Sequence, residues 1–145
     1  MSYHFFPMIA RMRYIDRWGL MRNTQVENIQ EHSHMVAVLA HALAVIENKY
    51  FGGQIDPGAV AVAALYHDAS EIITIPDPKI HALVKAADKL SAYLKCVEEL
   101  KAGNLEFKKA KEQTYAALCQ NPVRALSYFM EHFLEGFELT LDELN

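Results

Sequence analysis

Apolar residues recur along most of the chain at the three- and four-residue spacing of a helix, and no stretch alternates with period two for long enough to argue a sheet. A helical pattern starts near Thr24, where Thr24 and Glu27 suit a capping box, and runs to about Tyr50. Gly52-Gly53 stops it. An acid or amide precedes proline at Asp56-Pro57, Asp77-Pro78 and Asn121-Pro122. Each pair suits an N-cap followed by the first helical position, where proline loses no hydrogen bond. The pattern therefore predicts helices over roughly 57–74, from 78 to near Lys101, and, beyond Gly103-Asn104, over roughly 106–119 and 123–135. No repeat or linker divides residues 1–145. The expectation is one all-α domain, a bundle of about six helices.

The informative question is which ionisable groups this pattern turns inward. At about 100° per residue, His32 lines up with Val36, Leu39, Leu43 and Ile46, whereas His34 and His41 fall on the opposite side. The next helix is apolar nearly all round from Ala59 to Tyr66, which predicts a central position in the domain. His67, Asp68 and Glu71 follow, crowded on one side, above the small side chains of Val60, Ala63 and Ala64. Two acids and a histidine at the end of a buried helix are expensive without partners. A divalent cation accepts imidazole nitrogen and carboxylate oxygen together and neutralises the charge. Taken singly, His32 also suits a hydrogen-bonded core histidine, and His-Asp pairs arise by chance. Their combination points to metal.

Composition narrows the class. The chain has 145 residues, 52% apolar and 10% aromatic, with a formal net charge of −4. That is enough for one domain with a real core and excludes disordered and fibrous classes. Mild acidity argues against a nucleic-acid binder, which wants a clustered basic face. The longest apolar run, Ala59 to Tyr66, is far short of the ~18 residues that span a bilayer. Cys96 and Cys119 form no disulfide framework. The apolar patch from Phe5 to Ala10 lacks the features of a secretory signal. The expected setting is the cytoplasm, with reduced thiols.

The ordered set Glu31-His32-Ser33, His67-Asp68-Ala69-Ser70-Glu71 and Ala87-Asp88 resembles the HD-domain metal-dependent phosphohydrolases. Within them, the chain resembles the bacterial 5′-deoxynucleotidases of the YfbR type. The likeness rests on Arg17-Trp18, Leu20-Met21-Arg22-Asn23, Phe51-Gly52-Gly53, Tyr66 to Glu71, Ala92 to Cys96, Tyr128 to Glu131 and Leu139 to Glu143. It runs nearly end to end and includes non-catalytic residues. It implies a single all-α HD domain that acts as a homodimer and releases phosphate from deoxyribonucleoside 5′-monophosphates. It also implies one divalent transition metal, held by His32, His67, Asp68 and Asp88. The donor set admits Mn²⁺, Fe²⁺, Co²⁺, Ni²⁺ or Zn²⁺; the resemblance favours cobalt or manganese. Glu71 matches the catalytic acid beside the metal and Arg17 the phosphate-contacting arginine, which is also catalytic. Trp18 matches the wall that crowds the sugar and rejects a 2′-hydroxyl. His32, Asp68 and Asp88 are shared with the substrate. Asp88 is placed by the resemblance alone, because on its helix it lies at the edge of the apolar arc with Lys85 and Lys95 nearby, as a surface ion pair would.

One departure stands out. The family continues with a Gly-Asp-x-Pro-Thr-Pro loop, which carries a second catalytic aspartate, and a few dozen further residues. Here Thr74 is followed at once by Ile75-Pro76-Asp77. Either the protein lacks that segment or the sequence omits it, and the matching flanks favour omission. Two alternatives stay open: an HD phosphohydrolase for another nucleotide, using Arg11, Arg13, Arg17 and Arg22 on extra phosphates, or a metal- and nucleotide-binding module that has lost catalysis with its loop. Tyr128, Phe129, Phe133 and Phe137 are candidates for a dimer interface, although helical spacing suits Phe129 and Phe133 to the core.

Overall fold

Two long helices, α2 (Ile29–Tyr50) and α4 (Pro78–Lys101), supply most of the buried side chains, as befits the two longest amphipathic patterns in the chain. Four shorter ones complete the computed structural model: α1 (Phe5–Ala10), α3 (Pro57–Leu65), α5 (Lys108–Cys119) and α6 (Arg124–Phe133). The structure describes residues 4–69 and 77–144; Glu71 and the Thr74–Ile75 junction lie outside them. Among the described residues there is no strand, only an isolated antiparallel bridge between Asp16 and Asn28. The all-α expectation holds.

The core joins Val36, Leu39 and Leu43 of α2 to Leu83, Leu90 and Leu94 of α4 and to Leu126 and Phe129 of α6. Each such Leu or Phe contributes about 1.5–3 kcal/mol by leaving water. Phe129 is buried as its spacing predicts, whereas Phe133 is half exposed.

Several boundaries differ from the pattern, each for a physical reason. The cap of α2 is Asn28, whose Oδ1 accepts from the Glu31 amide at 2.9 Å, not Thr24. The Arg17 amide donates to Glu27 O at 2.8 Å and the Ile29 amide to Ile15 O at 2.9 Å, so these hydrogen bonds hold the chain extended just before the helix. At the other end Gly52 takes φ +69°, the left-handed conformation that closes a helix. Asp56 and Asp77 cap α3 and α4 as expected, with proline in the first turn. Asn121 instead caps a turn, accepting from the Val123 amide, and α6 starts at Arg124.

The regular part of α3 ends at Leu65, well short of Thr74. His67–Ala69 form a single 3-10 turn. The His67 ring bonds the Ala64 carbonyl at 2.7 Å, the group a continuing helix would offer to the Asp68 amide. Nor is α3 central. Val60 and Ala64 are buried against α2 and α4, yet Val62 is 55% and Leu65 43% exposed.

Candidate metal centre

Three elements converge at one point. The first turn of α2 brings His32, the 3-10 turn after α3 brings His67 and Asp68, and the middle of α4 brings Asp88. The His32 and His67 rings lie 5.4 Å apart between centroids. One donor atom from each of His32, His67 and Asp68 fits within a 4.8 Å span. Asp88 Oδ1 stands 2.7 Å from His32 Nε2 and 3.6 Å from His67 Nε2, and Asp68 Oδ1 is 3.4 Å from that same His67 nitrogen. The surface ion pair that spacing alone suggests for Asp88 is replaced by two imidazoles.

Whether these residues fit a cation is decided by His67. Its Nδ1 bonds the Ala64 carbonyl, which fixes the proton on that nitrogen and leaves the Nε2 lone pair free. Nε2 is buried and has no hydrogen-bond partner among the described residues. A nitrogen acceptor costs free energy in that state unless something electropositive meets it. An imidazole oriented by a backbone carbonyl, with its other nitrogen aimed at carboxylates, is the usual arrangement of a metal-ligating histidine. His32 is backed in a similar way: Ser91 Oγ lies 3.3 Å from its Nδ1, and the ring is wholly buried. The donor set fits a divalent transition metal.

The charges agree. Burial alone would raise the Asp88 carboxyl, but the His32 hydrogen bond and the His67 ring beside it outweigh it and hold that carboxyl well below the usual range. Burial likewise works against a charged His67, but the nearby Asp88 carboxylate, the Ala64 carbonyl and the Asp68 charge together raise its pKa.

Arg17 and Trp18 reach this cluster through a residue that sequence reasoning assigned to a helix cap. Glu27 Oε2 accepts from Arg17 Nε at 3.3 Å and from Trp18 Nε1 at 3.2 Å, while Glu27 Oε1 lies 3.9 Å from His32 Nδ1. Arg17 is half-buried and ion-paired, not a free surface charge. Trp18 is the one non-glycine residue among those described with a positive φ, at 59°. That backbone costs on the order of 1–3 kcal/mol and persists only where neighbours impose it. Here they are Glu27, the Phe107 ring at 5.4 Å, and the donors Asn23 Nδ2 and Met21 N on the Trp18 carbonyl. Arg13 and Arg22 are exposed and engaged with Tyr14 and Glu106.

Ser91 and Glu27 were both missed from the sequence. Ser91 had a signal: it stands three residues after Asp88 on α4, hence on the same face.

Comparison with known proteins shows the family. A family model described as 5′-deoxynucleotidase YfbR-like matches residues 4–78 and 75–137. A 5′-deoxynucleotidase of Vibrio cholerae is 39% identical over 190 aligned positions, which cover 98% of this chain and 98% of the relative. The 5′-deoxynucleotidase YfbR of Shigella dysenteriae is 40% identical over 190, covering 98% and 96%. Both alignments are longer than the 145 residues of this chain, so the relatives carry residues without a counterpart here. Among solved structures, an HD-domain phosphohydrolase from Listeria innocua superposes with a TM-score of 0.75 over 92% of this chain and 88% of its own, at 16% identity. No helix among the described residues is long and apolar enough to cross a membrane. A two-part family match over nearly the whole length, relatives near 40% identity and a shared helical fold together mean that the chain belongs to the YfbR-like 5′-deoxynucleotidases, phosphoric monoester hydrolases of HD-domain architecture.

Proposed function

We propose that the chain hydrolyses deoxyribonucleoside 5′-monophosphates with one divalent transition metal held by His32, His67, Asp68 and Asp88. The observation that carries this reading is the buried His67 Nε2, which faces two carboxylates and has no hydrogen-bond partner among the described residues. A cation there, cobalt or manganese by family resemblance, would supply Lewis acidity and make water a better nucleophile at neutral pH. Arg17 binds the non-bridging phosphate oxygens. Glu27 occupies only its Nε, and no hydrogen bond among the described residues engages the two terminal amino groups, the fork that matches phosphate. Glu71 orients or deprotonates the attacking water. Trp18 walls the sugar. His32, Asp68 and Asp88 face both metal and phosphate. Arg13 and Arg22 are turned to other partners, which favours a monophosphate over a polyphosphate.

The proton for the leaving 5′-oxygen is assigned to an aspartate in a segment that the relatives carry and this sequence omits between Thr74 and Ile75. Three observations support the omission: the two-part family match that overlaps at 75–78, the longer alignments, and the exposed Val62 and Leu65 on an otherwise apolar helix. Peptide mapping of the protein as cells make it should find Thr74 and Ile75 in separate peptides divided by extra residues. A single peptide joining them sinks the omission and leaves a chain without its acid.

The family's homodimer is supported by an apolar groove of about 780 Å³ between α2 and α6, lined by Met35, Val38, Val45, Phe133 and Phe137. Light scattering at the monomer mass would remove it. The cytoplasmic setting rests on the unpaired Cys96 and Cys119.

Activity is tested by adding Co²⁺ or Mn²⁺ to metal-free protein and measuring phosphate released from thymidine and uridine 5′-monophosphates. Faster release from the thymidine nucleotide is expected; release from neither, by folded protein with its segment intact, ends the nucleotidase reading. Trp18→Ala should lower the deoxy-to-ribo ratio of kcat/KM by about 10- to 100-fold, the range in which a packed wall discriminates a hydroxyl. An unchanged ratio removes Trp18 from that role.

A further inference from the structure

Residues 17–27 form a closed loop. The chain enters and leaves it at one point, tied by the Arg17–Glu27 and Ile15–Ile29 backbone hydrogen bonds and the Asp16–Asn28 bridge. Inside it, one carboxylate serves several groups. Glu27 Oε2 accepts from both the Arg17 guanidinium and the Trp18 indole, and its other oxygen stands 3.9 Å from the His32 ring. The Glu27 side chain is only 16% exposed. It is therefore not a solvated surface acid that happens to have neighbours.

The chemistry of that arrangement is specific. Arg17 bonded through Nε keeps its terminal fork free, so the contact sets the direction of the fork instead of consuming it. An indole N–H can only donate, and a carboxylate oxygen can only accept, so the Trp18 ring has one orientation that satisfies both. The Trp18 backbone is held in a conformation a tryptophan rarely adopts, and the Glu27 bond is one of the contacts that keep it there. The same carboxylate borders His32, and His32 borders Asp88. Phosphate clamp, sugar wall and metal site thus meet at one side chain.

We propose that Glu27 is the positioning residue of this site: it aims Arg17 at the phosphate and Trp18 at the sugar, and fixes both relative to His32. The proposal rests on the nucleotidase reading for what the loop recognises, but not for what holds the loop. Glu27 touches neither metal nor substrate. Its effect passes through the two residues it holds, and Ser91, not Glu27, is the group within hydrogen-bond range of the His32 Nδ1 atom.

Trp18 is the only tryptophan in the chain, so intrinsic fluorescence reports its environment alone. In nucleotide-free protein, Glu27→Ala should move the emission to longer wavelength and make it easier to quench with acrylamide. With thymidine 5′-monophosphate its kcat/KM should fall about 10- to 100-fold, as when the group orienting a ligand is removed. The deoxy-to-ribo ratio should fall with it, whereas Co²⁺ affinity should stay within about threefold of wild type, because Glu27 is neither a ligand nor within hydrogen-bond range of one. Glu27→Gln keeps an oxygen that accepts from the indole; it should retain the wild-type emission and recover most of the ratio, which keeps the test open if the alanine variant does not fold. Unchanged emission and ratio in Glu27→Ala overturn the proposal. So does a parallel loss of Co²⁺ affinity, which would make Glu27 a support of the metal ligands. So does a lowered Tm with all kinetic constants intact, which would make it structural. If wild-type protein hydrolyses no nucleotide, the nucleotidase reading falls and takes the substrate half of the proposal with it, while the emission of Glu27→Ala still decides whether Glu27 holds Trp18.

Discussion

Asp68→Asn should abolish turnover and weaken Co²⁺ binding by at least about 100-fold, since removing even an outer partner of a ligand typically costs 10- to 100-fold. The fold should barely register the change. Asp68 is exposed, and its nearest ionic neighbour among the described residues is His67 at 3.4 Å. Surface changes of that kind stay within about 0.5 kcal/mol. This makes Asp68 a more telling position than His32. His32 is wholly buried and bonded to Asp88, and its removal would leave a cavity as well as an unpaired carboxylate. A loss of function there could be a loss of structure. Calorimetric titration with Co²⁺, run beside thermal unfolding, separates the two for Asp68. Metal affinity within tenfold of wild type would remove Asp68 from the ligand set.

Much of this centre was legible in the sequence because it obeys helix periodicity. His32 shares an angular position with Val36, Leu39 and Leu43, and all four are buried, while His34 and His41 are exposed as the same arithmetic requires. The His-Asp doublet was equally visible, but its local structure was not. Nothing in the pattern from Pro57 onward shows that the His67 ring takes the Ala64 carbonyl and turns the chain into a 3-10 turn. That contact belongs to the folded geometry. Asp88 was beyond periodicity for the opposite reason: it is a half-exposed residue whose partners come from α2 and from the 3-10 turn after α3. Glu27 was misread because Thr-x-x-Glu before an apolar run is what a capping box looks like. Tertiary partners outbid the cap. Glu99 takes the Thr24 hydroxyl and amide, and Arg17 and Trp18 take the Glu27 carboxylate. A subtler signal does exist on α4, where Asp88, Ser91, Lys95 and Glu99 recur at spacings of three, four and four. That is a polar stripe along a helix whose other faces are largely apolar. Its first half borders His32 and His67, and its second half anchors the loop that carries Arg17 and Trp18.

That second half predicts the largest stability effect. Glu99→Ala should lower the unfolding free energy by about 3–5 kcal/mol, the cost of breaking a buried ion pair from one side. Glu99 is 1% exposed. It accepts from Lys95 Nζ at 2.7 Å, Thr24 N at 2.9 Å, Thr24 Oγ1 at 2.8 Å, Gln25 N at 3.2 Å and Asn104 Nδ2 at 3.0 Å. Lys95, also buried, bonds the Gln25 carbonyl as well. Replacing both charges by apolar residues often restores stability in a buried pair. Here Lys95→Met with Glu99→Leu should recover only part of the loss, because the bonds that fasten residues 24 and 25 to α4 go with them. Acid offers a sharper check on the ionised state. Burial alone would raise the Glu99 carboxyl, but Lys95, Thr24 and Asn104 outweigh it and hold it well below the ordinary glutamate value. A depressed carboxyl contributes its stability in full above the unfolded value, near pH 4.5. Below that, the unfolded chain takes up a proton that the folded one refuses, and up to about 1.4 kcal/mol is lost per pH unit. Glu99→Gln has no such proton to take up. Asp88 titrates in both proteins and cancels in the comparison. The stability gap between wild type and Glu99→Gln should therefore narrow as pH falls from about 5 to 3 in denaturant titrations. Curves that stay parallel across that interval would show that Glu99 binds its proton equally well in the folded and unfolded chains, so that its charge adds nothing to what holds the loop.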